Sequence, residues 1–332
     1  MKAALCTHYG PPEELELSEV PAPAPGKGQV LVSVKSCGVN FPDVLLIQDK
    51  YQFKPPLPFV PGGEIAGVVK DVGEAVAVPK RGDRVIASIG TGGFAEEALA
   101  DAARCIPMPE NLAFDVASCF FIAYGTSWHA LKDRAQLKPG EHLVVLGAAG
   151  GVGLAAVEIG RAMGARVVAG ASSDEKVALA KQHGAQDGFV YPAGKLSKDQ
   201  QKALSEDIKR ATGGKGADVL YDPVGSDYAE PALRAMNWGG RYLVIGFAAG
   251  DIPRVPLNLM LLKGSSIVGV FWGASVARDP KKGLADLAEI THLIAEGKLK
   301  PHISAHVPLA RAGDAIRLLM DRKAQGKVVV VP

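Results

Sequence analysis

The residues Gly147-Ala148-Ala149-Gly150-Gly151-Val152-Gly153 follow the apolar run Leu143-Val144-Val145-Leu146 and open a second apolar stretch. A strand, a glycine turn and a helix in that order form a cradle for a diphosphate. The glycines let the backbone approach, and the free N–H groups and the positive end of the helix dipole face the anion. Ala148 stands at the first glycine of the usual G-x-G-x-x-G spacing, with Gly150 and Gly153 at the second and third. One strand further on, the chain reads Gly170-Ala171-Ser172-Ser173-Asp174-Glu175-Lys176. No carboxylate stands at the strand tip to meet a ribose 2′-hydroxyl. Two hydroxyls and an ammonium are within reach of a 2′-phosphate, so NADPH is expected over NADH. The same residues also suit a helix start, with Ser173 as N-cap and two acids in the first turn.

The elements that must position this loop follow from the pattern. Short strands such as Gln29–Val34, Glu64–Val69 and Asp83–Ile89, each closed by Gly or Pro, predict a compact β-barrel in the first hundred residues. From about residue 115 strands and helices alternate. Strands are expected at His142–Leu146, Arg166–Ala169, Gly188–Tyr191, Asp218–Tyr221 and Arg241–Ile245. Helices are expected at 152–163, 173–183, 200–212 and 227–236. That alternation predicts a doubly wound parallel sheet, hence an α/β protein. The closing strand Lys327–Val331 is expected to return to the first barrel, making that domain discontinuous. The expected boundaries are 1–118 with 262–332 for the barrel, and 119–261 for the dinucleotide domain.

Composition excludes several roles. Lys plus Arg number 37 against 35 for Asp plus Glu among 332 residues, which leaves no surplus to drive binding to nucleic acid or an anionic membrane. No apolar run is long enough to span a bilayer, and the N-terminus lacks a secretory pattern. Cys6, Cys37, Cys105 and Cys119 are widely spaced and read as reduced thiols of a cytoplasmic enzyme.

Further motifs accompany the loop: Cys37-Gly38-Val39-Asn40-Phe41-Pro42-Asp43, Tyr51, Pro55 to Gly62, Glu64 to Val69 and Gly82-Asp83-Arg84-Val85. Tyr124 to Leu131, Asp222-Pro223-Val224-Gly225 and Gly326 to Val330 complete the set. In this order they resemble the NADPH:quinone oxidoreductases, which include zeta-crystallin, the zinc-free quinone reductase branch of the medium-chain dehydrogenase/reductase superfamily. The resemblance spans the whole chain. It implies a GroES-like barrel domain, a Rossmann domain and a homodimer pairing through the strand around Ile267–Phe271. It also implies that Asn40 and Thr126 meet the nicotinamide, and that Ala149, Gly150, Gly151 and Val152 line the diphosphate. Ser172, Ser173, Lys176 and Tyr191 are implied around the adenosine phosphate, and Gly246, Phe247 and Lys327 elsewhere along the cofactor.

Zinc alcohol dehydrogenases of the superfamily use Cys, His and a third ligand, where this chain has Asn40, Gly63 and the neighbourhood of Ile122. A metal-free site is therefore expected. Without a Lewis acid, reduction of an electrophilic quinone or conjugated enone is easier than alkoxide formation. Tyr51 is the candidate proton donor and Asn40 an orienting group, while Tyr124, Phe271 and Trp272 are candidates for an apolar wall that receives a ring. Two other readings stand beside this one. An enoyl-thioester reductase would use cations such as Lys50, Lys54 and Arg254 for substrate phosphates. A crystallin-like protein would bind NADPH without turnover.

Overall fold

The computed structural model describes residues 1–332 and divides into two units, Met1–Ile122 with Pro301–Pro332, and Ala123–Lys300. In the first unit, β1 (Lys2–Leu5) and β2 (Glu16–Glu19) form an antiparallel ribbon. The main sheet is built on β3 (Gln29–Val39), β4 (Glu64–Val72), β5 (Arg84–Ser88), β6 (Glu97–Asp101) and β7 (Cys105–Pro107). The long strand β3 is the hub, pairing antiparallel with both β4 and β6. Val30, Val32 and Val34 alternate along it and enter one core with Ile65 and Val85.

The second unit is a six-stranded parallel sheet of β8 (His142–Val145), β9 (Arg166–Ala171), β10 (Asp187–Val190), β11 (Ala217–Asp222), β12 (Met236–Val244) and β13 (Ser266–Gly269). Their spatial order is β10-β9-β8-β11-β12-β13. Leu143, Val144 and Val145 are fully buried, as a strand covered on both faces requires. The chain winds outward from β8 to β10, then returns to place β11 on the other side of β8. The order therefore reverses between β8 and β11, where a doubly wound sheet opens a crevice beyond its carboxyl ends.

At the chain end, β14 (Ile303–Pro308) runs parallel to β15 (Lys327–Val331), and β15 pairs antiparallel with β3, Val328 opposite Val39. The closing strand thus joins the first unit. The boundary expected at 262 falls at 300 instead. Residues 262–300 stay with the dinucleotide unit because β13 extends its sheet beside β12. In addition, the helix Pro280–Ala295 is tied to it by Trp128 Nε1, which donates to Asp286 (3.3 Å), and by Lys132 to Glu289 (2.7 Å).

The helix expected over 227–236 is a 3₁₀ turn at Ser226–Tyr228 followed by Ala229–Arg234, since Met236 already begins β12. A further helix runs over Trp272–Arg278, and the helix Phe121–Trp128 continues as a π-helical segment over His129–Arg134. Such wide turns are rare in ordinary helices. No helix is long and apolar enough to cross a membrane.

Candidate active site

The glycine loop lies at the carboxyl end of β8. Gly147 takes a left-handed φ of +60°, and the Ala148 N–H donates to Gly170 O (3.0 Å), tying the turn to β9. Gly150 is the N-cap of the helix Gly151–Ala162, whose first N–H groups have no helical carbonyl behind them. The glycines serve different ends. A Cβ at Gly153 would overlap the Gly147 carbonyl oxygen and stand 2.9 Å from Ala148 Cα, so Gly153 lets the helix close onto the turn. A Cβ at Gly150 would meet only Gly147 O, at 3.4 Å. Nothing in the protein requires glycine there, and a side chain would have space at the start of a helix whose first N–H groups lack helical partners. The cradle fits a diphosphate on this ground.

The loop is braced from three sides. Tyr191, buried, accepts the Gly147 N–H through its hydroxyl (2.9 Å), and its ring lies 5.1 Å from that of Tyr228. Asp222, at the end of β11, accepts the N–H groups of Val224 (2.7 Å) and Gly225 (2.9 Å) through one oxygen and bonds Tyr242 through the other. Burial raises its pKa, and those bonds draw it back toward the ionised form. The turn it holds places Pro223 and Val224 against Gly147, while Gly225 leaves room for Phe247. Gly246 is nearly free of side-chain neighbours, with Pro223 O at 3.6 Å from a Cβ built there. Third, Ser127 donates to Val152 O (2.9 Å) and shares a hydrogen bond with Tyr221 (2.8 Å), so the helix carrying half-buried Thr126 is pinned to the loop helix.

At the tip of β9, Lys176 Nζ donates to Ser172 Oγ (3.2 Å), while Ser173 Oγ accepts the Lys176 N–H (3.3 Å) as the N-cap. Capping uses a lone pair of Ser173 and leaves its hydroxyl proton to donate. The two readings of this segment are therefore compatible.

The expected apolar wall is not assembled as anticipated. Tyr124 is 2% exposed and its hydroxyl donates to buried Glu158 (2.8 Å), which also accepts the Lys300 N–H and lies 2.5 Å from His183 Nδ1. Tyr124 is an interior residue that satisfies a buried carboxylate, not a ring-binding surface. Trp272 is also buried, its indole laid over Gly125, whereas Phe271 is 59% exposed.

The first unit holds a buried polar cluster under β3 and β15. Asn40, the N-cap of the helix Phe41–Leu46, donates from Nδ2 to Gly38 O (3.2 Å) and Glu64 Oε2 (2.9 Å). Its Oδ1 accepts from Lys327 Nζ (2.5 Å), which also donates to Val39 O (3.0 Å) and stands 3.8 Å from Glu64. Lys327 is 4% exposed and Glu64 fully buried. Burial raises the Glu64 pKa, against which Lys327 and then Asn40 act. Asp43 accepts the N–H groups of Asn40 (2.8 Å) and Gly62 (3.0 Å), and burial pushes its carboxyl up to about 6. Tyr51 is half-buried at the edge of this core, its pKa raised by burial and then by the Asp43 charge. Of the cations considered for a thioester's phosphates, Lys54 is paired with Asp49 (2.8 Å) and Lys50 bonds Gln48 (2.8 Å).

The family resemblance implied a place near the cofactor for Lys327, but no sequence signal pointed to its bond to Asn40. Asp222 as the organiser of its turn, and Ser127, were missed as well. Asp-Pro-Val-Gly was the one local signal, since a short acid before Pro-x-Gly caps a turn.

Two family models match this chain: residues 26–110 match an alcohol dehydrogenase GroES-like domain and residues 151–289 a zinc-binding dehydrogenase. The chain belongs to the medium-chain dehydrogenase/reductase superfamily. Rat quinone oxidoreductase-like protein 2 is 39% identical over 331 residues, 99% of this chain and 91% of the relative. Human quinone oxidoreductase is 34% identical over 334 residues, covering 100% and 98%. The solved structure of Escherichia coli quinone oxidoreductase complexed with NADPH superposes with a TM-score of 0.91 at 27% identity, covering 100% of both chains. Within the superfamily, the chain belongs with the quinone oxidoreductases. Although one matched family is named for zinc, the residues here do not compose such a site. No three His, Cys, Asp or Glu side chains gather as ligands, and the Lys327 ammonium fills the polar space between Asn40 and Glu64.

Proposed function

We propose that this protein is an NADPH-dependent oxidoreductase that transfers a hydride to a quinone or another conjugated carbonyl without a metal. One observation carries the reading: the cradle is open at Gly150, and the neighbouring strand tip presents Ser172, Ser173 and Lys176 with no carboxylate at the tip itself. The diphosphate rests on the N–H groups of Gly151 and Val152, beside Ala149. Lys176 and the two serines hold the 2′-phosphate by charge-assisted hydrogen bonds. When bound, the reduced nicotinamide supplies the hydride. Thr126 is held in place by its neighbour Ser127, and Gly246 and Phe247 border the same crevice of the sheet. In the first unit, the raised pKa of Tyr51 keeps its phenol protonated, as a proton donor requires. Asn40 orients and Lys327 fixes Asn40. Phe271, the exposed one of the three aromatics, remains the apolar candidate for the acceptor.

A homodimer is part of the proposal. The outer edge of β13 has no partner strand, its residue Ile267 is exposed, and so are Leu257 and Leu261 in the segment just before it, the last at 81%.

The test is oxidation of NADPH and NADH against para-quinones, ortho-quinones, alkyl enones and crotonyl-CoA, in wild type and Lys176→Ala. The expected result is turnover of quinones or enones with NADPH. Lys176→Ala should weaken NADPH by about tenfold, the size of one charge-assisted hydrogen bond, and leave NADH little changed. Equal losses for both cofactors would overturn the 2′-phosphate assignment. Turnover of crotonyl-CoA alone would favour the thioester reading, and tight NADPH binding with no turnover the crystallin-like one.

A further inference from the structure

The second unit contains another cleft, of about 490 Å³, between the helices Lys198–Ala211, Ala229–Arg234 and Asn258–Lys263. No residue of the glycine loop or of the β9 tip lines it. Lys198, Lys202, Ser205 and Lys209 recur along one helix at spacings that form a single stripe, and this stripe faces Arg234 and Lys263 across the cleft. Against five cations stand only Glu206 and Glu230. Arg234 is answered by Glu230 (2.6 Å) and Lys202 distantly by Glu206 (3.9 Å). Lys198, Lys209 and Lys263 have no carboxylate partner. Lys263 donates instead to the Met236 carbonyl (2.7 Å).

Two features separate this cleft from an ordinary solvated charged face. Lys209 and Lys263 line the same cleft, and the Lys263 pKa is lowered by burial and then by the charge of Lys209. Ser205 lines the same cleft and is 6% exposed, and its buried hydroxyl has no hydrogen-bond partner. A helical serine ordinarily returns a bond to the carbonyl four residues back, and a buried hydroxyl left unpaired calls for a reason. The helix Asn258–Lys263 turns Leu259 and Lys263 inward, whereas Leu257 and Leu261 point to the opposite, exposed side. The cationic cleft and the exposed apolar face are therefore distinct surfaces.

We propose that this cleft binds a small phosphorylated molecule, its phosphate held between Lys209 and Lys263 above Ser205. Separate, compact ammoniums suit the separate oxygens of a phosphate dianion, and the volume lies within the range of small-ligand sites. The site is independent of the dinucleotide loop.

Pyrophosphate is the probe, titrated calorimetrically into the full-length protein with NADPH in excess. Wild type is expected to bind one equivalent per chain. Lys209→Gln and Lys263→Gln should each weaken binding about tenfold, as loss of one charge-assisted hydrogen bond would. Ser205→Ala should weaken it less, and Lys181→Gln, outside the cleft, should not change it. Lys209 is exposed, so Lys209→Gln carries the test should Lys263→Gln fold poorly, and dependence on Lys209 locates the site whether or not a nucleotide fills the loop. No binding to wild type, or an equal loss in Lys181→Gln and Lys209→Gln, would overturn the proposal.

Discussion

The two glycines of the dinucleotide turn should fail in opposite ways when replaced by alanine. At Gly153 the added methyl overlaps Gly147 O and meets Ala148 Cα at 2.9 Å, both rigid backbone, so the helix must move off its strand. Overpacking of this kind costs about 1–3 kcal/mol, and a clash with backbone belongs at the upper end. For a unit of this size that lowers the melting temperature by roughly 6–12 °C. At Gly150 the backbone has a φ of −78° and a ψ of 170°, which alanine accepts, and the methyl makes only a 3.4 Å contact. The exchange of one N-cap residue should cost under about 1 kcal/mol. On the binding mode proposed above, the methyl occupies space that the diphosphate needs to reach the N–H groups. Losing one or two charged hydrogen bonds would weaken NADPH by roughly ten- to a hundredfold. Thermal unfolding without nucleotide and fluorescence titration with NADPH measure the two effects separately. Gly150→Ala with wild-type NADPH affinity would refute the assignment of that opening to a diphosphate.

Removing the ammonium in Lys327→Met should destabilise the protein by about 3–5 kcal/mol, because Glu64 is left as an uncompensated buried charge. Both Glu64 and Asp43 have folded pKa values above their usual ones and are lowered by Lys327, so the variant raises both further. A raised acid favours the fold below its unfolded pKa and loses that contribution as pH rises through the folded one. The melting deficit should therefore be small below Asp43's value of about 6 and grow above it; a deficit independent of pH would contradict the electrostatic account. Tyr51→Phe should lower kcat about a hundredfold with KM nearly unchanged, as loss of a proton donor would, and wild-type kcat would assign the proton to water. Ile267→Lys should convert a dimer to a monomer in light scattering after gel filtration, since a buried, unpaired ammonium would face its own copy across the edge of β13. An unchanged mass would place the interface elsewhere.

Periodicity carried most of the fold. Fully apolar strands such as Leu143–Val145 and glycines at the ends of strands are local signals, and the parallel order followed from their alternation with helices. The boundary near 300 was not local: Ile267 to Gly269 looks like any short strand until β12 is known to offer it an edge. Trp272–Arg278 follows a strand without a side-chain cap, and thus without a start signal. The loop was legible because a phosphate cradle is contiguous in sequence. The cluster around Asn40 was not, because Lys327 lies at the other end of the chain and arrives only through the pairing of β15 with β3. Tyr124 was misread for a related reason. An aromatic beside Gly-Thr suits a cleft wall as well as a core, and only the buried Glu158 decides between them.

The Asn40 amide also bears on the chemistry proposed. Both of its N–H donors are spent, on Gly38 O and Glu64, and Lys327 occupies its oxygen. Toward a ligand it retains only a second lone pair on that oxygen, so it can accept and orient but has no proton to give. Lys327 is likewise turned inward, onto Asn40 and Val39. The first unit thus offers a fixed, internally satisfied scaffold rather than a strong electrophile. This agrees with the acceptor proposed above, in which conjugation in a quinone or enone supplies the electrophilicity. The proton that follows the hydride is, on the reading proposed above, given by the phenol of Tyr51, which burial and then the Asp43 charge keep protonated.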